Sequence, residues 1–124
     1  MMVFDAGAFI AAERGDRAAW TRVRAARAWG QGPVTSTAVV AQVWRGDARQ
    51  ANLARMVNAV DAAPLTEPVA LAIGRLLAQA GTGDVVDAAL VLTAADGDVI
   101  YTSDPSDIAH LAATLGLHVD IVPV

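Results

Sequence analysis

The chain reads as an α/β domain in three layers, with helices on both faces of a short, mostly parallel central sheet. Three observations predict this. Short apolar runs at residues 2–5 and 99–103 (MVFD and VIYTS) have the composition of strands that are covered on both sides. One or two helical segments separate successive strands, and right-handed crossovers through them generate a parallel sheet. Carboxylates recur at strand ends and in the first turns of helices, at the carboxyl edge where open α/β sheets bind ligands. With 124 residues the chain fits one domain, residues 1–124, large enough for a real core.

In order, residues 2–5 form a strand and 6–14 a helix that follows it directly. Gly15-Asp16 ends that helix and caps a second, which runs to about Gly30 and carries Trp20, Arg22, Arg24, Arg27 and Trp29. After the turn Gln31-Gly32-Pro33, residues 34–35 make a minimal strand. Ser36 or Thr37 caps the helix AVVAQVWR, expected to stop near Gly46. A further helix covers about 48–60, and residues 60–64 read as a strand. Thr66-Glu67-Pro68 is a helix start, with Pro tolerated in the first turn, and Ala80-Gly81 is its end. Asp84 and Asp87 then open a helix, 99–103 is a buried strand, and Asp104-Pro105-Ser106-Asp107 opens a helix that Gly116 stops. Residues 118–122 alternate enough to be a last strand.

Composition narrows the chemistry. There is no Cys, which excludes disulfides, thiolate zinc sites and thiol nucleophiles, and two His are too few for a zinc triad. Asp5 interrupts the first apolar residues and no basic segment precedes them, so a signal peptide is not expected. No apolar run reaches the length of a membrane span, and a cytoplasmic protein is the expected class. Net charge is −4, against a generic nucleic-acid binder, but it is unevenly spread. Residues 1–58 hold eight Arg against four acids, whereas 59–124 hold one Arg against nine acids; there is no Lys. A basic surface beside an acidic cluster suits an anionic substrate whose reacting group meets a metal. Solvated Arg-rich helix faces are the simpler alternative.

Each acid taken alone has an ordinary explanation. Asp5 and Asp104 are good N-caps for the helices that follow them, and Asp84, Asp87 and Asp107 favour helix dipoles. Capping does not require Asp5, Asp87 and Asp104 to converge, however. A helix that precedes a parallel strand starts level with the strands' carboxyl ends, so the fold brings all three to one end of the sheet. Carboxylates that close repel and raise each other's pKa, and a divalent cation such as Mg²⁺ or Mn²⁺ reverses this.

The chain resembles PIN-domain ribonucleases, specifically the VapC type of bacterial toxin, over essentially its whole length. The matching pieces are VFDAGAFIAAE, STAVVAQVWR, GTGDVVDAALVLTAA and VIYTSDPSDIAHLA, in that order, with TSDPSD after the buried strand the most specific. The resemblance implies Asp5, Asp87 and Asp104 as the main metal-binding acids, with Asp84 or Asp107 as a further contributor. It also implies that Thr102 or Ser103 positions the last acid or the scissile phosphate. The activity implied is Mg²⁺- or Mn²⁺-dependent hydrolysis of RNA phosphodiester bonds, with silencing by a cognate antitoxin and pairing into a homodimer. Arg14, Arg17, Arg45 and Arg49 are candidates for holding the RNA backbone.

One position departs from the pattern: Gln42 stands where the family usually has Glu. Gln keeps the size and can hydrogen-bond a metal-bound water, but brings no charge and cannot act as a base. Weaker metal binding is therefore expected, and the alternative function is a catalytically weak PIN domain serving as an antitoxin- or RNA-binding module. A receiver domain would need a Lys, and a haloacid-dehalogenase-type phosphatase would need Asp at position 7, which is Gly. Trp20, Trp29 and Trp44 read first as core aromatics, or as interface residues if exposed. His110 and His118 read as ordinary helix and strand residues.

Overall fold

The structure, a computed structural model, describes all 124 residues. The elements in chain order are β1 (Met2–Phe4), α1 (Ala6–Glu13), α2 (Arg17–Ala28), β2 (Val34–Ser36) and α3 (Thr37–Val43). A 3₁₀ turn (Ala48–Gln50) leads into α4 (Ala51–Ala59), followed by β3 (Asp61–Ala63), α5 (Glu67–Ala80) and α6 (Val85–Val91). The chain then runs through β4 (Val99–Thr102), α7 (Pro105–Leu115) and β5 (Asp120–Pro123). The five strands form one sheet in the order β3-β2-β1-β4-β5, and every pairing is parallel. The predicted three-layer α/β/α class is thus found, with a sheet that is parallel throughout.

From β1 the chain steps outward to β2 and β3, then returns to the other side of β1 for β4 and β5. The direction therefore reverses between β1 and β4, which makes that gap the switch point of the sheet. Right-handed crossovers then put α1 to α4 on one face and α5 to α7 on the other. Packing agrees: α1 lies against α2, α3 and α4, while α5, α6 and α7 lie against one another. α3 also packs on α6, so it adjoins helices of both layers.

The core follows from the apolar runs. Val3, Phe4 and Ile100 of the central strands are fully buried, with Phe9, Leu53 and Met56 on one side and Leu76, Leu90 and Ile108 among the residues that complete it. Phe4 meets Phe9 and Tyr101 edge to face, at 6.3 and 5.7 Å between ring centroids. No helix is long and apolar enough to cross a membrane; α5 and α6, which together would have the length and composition, are bent by 106°.

Four expectations are corrected. α3 stops at Val43, short of Gly46, and the helix expected over 48–60 is a 3₁₀ turn plus a shorter α4. Both changes trace to the buried side chain of Gln50. Its Oε1 accepts from the backbone N–H of Arg45 (2.8 Å) and Gly46 (3.1 Å), while its Nε2 donates to the Val43 carbonyl (2.9 Å). These bonds satisfy backbone groups that a continuing helix would otherwise use. β5 begins at Asp120, so His118 lies in the preceding loop, where its N–H donates to Asp96 Oδ1 at 2.8 Å. Two of the three tryptophans lie outside the core: Trp29 is 87% exposed and Trp44 42%, while half-buried Trp20 packs against the core beneath the Arg55 guanidinium.

Candidate metal centre

Two adjacent strands and one helix start build the site. β1 leads straight into Asp5, β4 leads through Ser103 to Asp104, and α6 holds Asp87 in its first turn. Because β1 and β4 flank the switch point, Asp5 and Asp104 emerge side by side, and α6 delivers Asp87 to the same edge. One carboxylate oxygen from each of Asp5, Asp87 and Asp104 lies within 4.8 Å of the others. The predicted convergence of these three acids is therefore present.

Hydrogen bonds hold the group in place. Asp5 performs the capping job expected of it, Oδ1 accepting from the Ala6 N–H at 2.7 Å at the start of α1, while Oδ2 accepts from the Thr102 hydroxyl at 2.6 Å. The same hydroxyl accepts from the Asp104 N–H at 3.0 Å, so fully buried Thr102 ties two of the acids together. Asp104 occupies the N-cap position of α7, yet its side chain makes no capping bond. The capping role expected for that carboxylate is replaced by an exposed, uncommitted one. Asp84 is the true cap of α6, its Oδ1 accepting from the Asp87 N–H at 3.0 Å.

Electrostatics at this edge are uncompensated. The only ion pair in the molecule joins the Met1 ammonium to Asp98, beside the start of β4 rather than its end; no Arg pairs with the acids. Burial, chiefly, pushes the Asp87 carboxyl up to about 7, and the charges of Asp84, Asp5, Asp104 and Asp107 add to it. Burial also raises the pKa of Asp5 against the opposing hydrogen bonds from Thr102 and Ala6, with Asp104 and Asp84 reinforcing the rise. Three oxygen donors, two of them buried and none neutralised, fit a hard divalent cation and offer neither nitrogen nor sulfur to a softer one.

The remaining candidates fall into four groups. Asp84, Asp87 and Asp107 line a small cleft of about 170 Å³ with Thr82, Gly83, His110 and Leu111. Ser103 is exposed between Thr102 and Asp104, in close contact with the first turn of α1. Gln42 is exposed in the last turn of α3, the helix that packs on both α1 and α6. The four arginines are all exposed. Arg14 caps the far end of α1 and Arg17 opens α2, about 12 Å along the eight-residue helix from Asp5. Arg45 donates to the Trp44 carbonyl at 2.7 Å, within its own segment, and Arg49 lies in the 3₁₀ turn.

Sequence reasoning passed over His110. Its Nε2 lies 2.7 Å from the Ala80 carbonyl, where an Nε2–H donates and ties α7 to the end of α5 beside the cleft. The available signal was its spacing, three residues after Asp107 and so on the same helix face. Compared with protein-family models and with curated proteins, the chain shows no match to either.

Proposed function

We propose that this chain is a metal-dependent endoribonuclease of the PIN-domain, VapC toxin type, hydrolysing RNA phosphodiester bonds. The observation that carries the reading is the meeting of Asp5, Asp87 and Asp104 at the switch point, with no basic side chain among them. Mg²⁺ or Mn²⁺ is the cation that suits an all-oxygen set shared with phosphate. Bound there, it would supply charge for the phosphate and lower the pKa of a water.

The protein's own groups supply the rest. The Thr102 hydroxyl fixes the Asp5 carboxylate and the Asp104 backbone, so both acids are placed before any ligand arrives. Without a cation the Asp87 carboxyl is pushed up to about 7, so metal would displace its proton on binding near neutral pH. Asp104 keeps its carboxylate free of capping, open to the edge where substrate approaches. Arg14, Arg17, Arg45 and Arg49 lie on the basic half of the chain and would meet RNA backbone away from the scissile bond.

The same basic half carries the exposed apolar side chains Ile10, Trp29 and Trp44. Exposed side chains of this kind suit protein contacts, here a cognate antitoxin and a second copy of the chain. An RNA-cleaving toxin of this kind would work in the cytoplasm.

Gln42 motivates a second reading, a catalytically weak PIN domain that binds antitoxin or RNA. The discriminating experiment is incubation of purified protein and structured RNA with Mg²⁺ or Mn²⁺. Cleavage that disappears in Asp5→Asn supports the nuclease. Intact RNA at high protein concentration, with cleavage gained in Gln42→Glu, supports the second reading. RNA left whole by both the parent chain and Gln42→Glu overturns the nuclease and removes Gln42 as the reason for the second reading.

A further inference from the structure

Gly7 sits in the first turn of α1, two residues after Asp5. Its φ is not in the positive range that favours glycine, so backbone conformation does not demand a missing side chain. Glycine is also a poor helix former. Space does demand it: a methyl carbon at this position would lie 3.2 Å from Ser103 Cβ, 3.2 Å from Ser103 N and 2.9 Å from Val124 Cγ2. Gly74, the other helical glycine, has nothing within 4 Å of the same point.

The three contacts are not equivalent. Val124 Cγ2 is the end of a partly exposed side chain and can turn away. Ser103 N belongs to the backbone that links Thr102 to Asp104, and Thr102 is the residue that grips Asp5. A side chain at position 7 would therefore press on the short backbone link that joins two parts of the acidic centre. The first turn of α1 and the exit of β4 would have to part by a few tenths of an ångström, and with them Asp5 and Asp104.

Resting on the metal site proposed above, we propose that Gly7 is a positioning residue: its missing side chain lets α1 seat against Ser103, which sets the spacing of Asp5 and Asp104 for a divalent cation. The test is Mn²⁺ titration by calorimetry, with thermal melting of the metal-free protein, on the parent chain, Gly7→Ala, Gly74→Ala and the double variant Gly7→Ala/Val124→Ala. Gly7→Ala is expected to weaken Mn²⁺ binding about tenfold, the lower end of what lost supporting contacts cost a metal site. Its metal-free protein should still melt cooperatively, a few degrees lower than the parent, because the added methyl is overpacked against Ser103. Gly74→Ala should bind as the parent does, and the double variant should remain weak. Parental affinity in Gly7→Ala overturns the proposal, as does full rescue by Val124→Ala or loss of a cooperative metal-free melt in Gly7→Ala. A parent chain that binds no Mn²⁺ removes the metal site and this inference with it, an outcome distinct from the other three.

Discussion

Thr102 donates its hydroxyl proton to Asp5 Oδ2 at 2.6 Å although 97 positions separate them in the chain, and it accepts the Asp104 N–H at 3.0 Å. One buried oxygen thus registers the ends of β1 and β4 against each other. Replacing Thr102 with Val keeps the shape and deletes both bonds, leaving a partly buried N–H and a buried carboxylate short of a partner. The expected cost is about 1–3 kcal/mol of stability, with about 10- to 100-fold weaker Mn²⁺ binding. Thr102→Ser, which restores the hydroxyl, should recover most of both. Urea denaturation and metal titration of the two variants measure this.

Asp5 and Asp87 both have raised carboxyl pKa values in the folded chain. Between about pH 4 and about pH 7, where Asp87 titrates when folded, the native state holds protons that the unfolded state has released. Stability of the metal-free protein therefore falls as pH rises through that window, opposite in sign to the usual salt-bridged carboxylate. Melting temperatures in the presence of chelator should be lower at pH 7.5 than at pH 5.5. Added Mn²⁺ should shrink or invert the difference, because cation and proton compete for the same oxygens.

Removing one of the crowded charges should stabilise the fold while destroying the site. Asp87→Asn relieves repulsion from Asp84, Asp5, Asp104 and Asp107 and suits a buried environment better than a carboxylate does. A gain on the order of 1 kcal/mol at pH 7.5, or about 3–5 °C in melting temperature, is expected without metal. Mn²⁺ stabilisation and RNA cleavage should both be lost. A variant that melts lower than the parent under these conditions would show that the Asp87 charge is already compensated.

How much of this was legible in the chain differs by element. α5 was readable from both ends, since Thr66 caps it through the Val69 N–H, Pro68 sits in its first turn, and Gly81 ends it at φ 70°. The central strands were readable because their runs are short and apolar. Asp5, Asp87 and Asp104 could be predicted to meet because chain direction alone places helix starts and strand ends on one edge. Gln50 could not be read this way: a polar residue in an apparently helical stretch carries no sign that it will be buried and bind three backbone groups. Nor could the exposure of Trp29, which follows the last turn of α2 and points off the end of the periodic face. The bond from Thr102 to Asp5 was equally hidden, since register between distant strands decides it.

Gln42 offers a gain-of-function test. It is exposed, so Gln42→Glu should change stability by less than about 0.5 kcal/mol. If α3 presents this side chain to the acidic edge, the added charge should tighten Mn²⁺ binding several-fold and raise the rate of RNA cleavage. Equal Mn²⁺ affinity in the two proteins would place position 42 outside the centre.

The most direct measurement is anomalous diffraction at the manganese edge from crystals soaked in Mn²⁺. A peak enclosed by the carboxylates of Asp5, Asp87 and Asp104 is the predicted result. Manganese found only at acids remote from Asp5, or no peak at saturating Mn²⁺, would contradict the account.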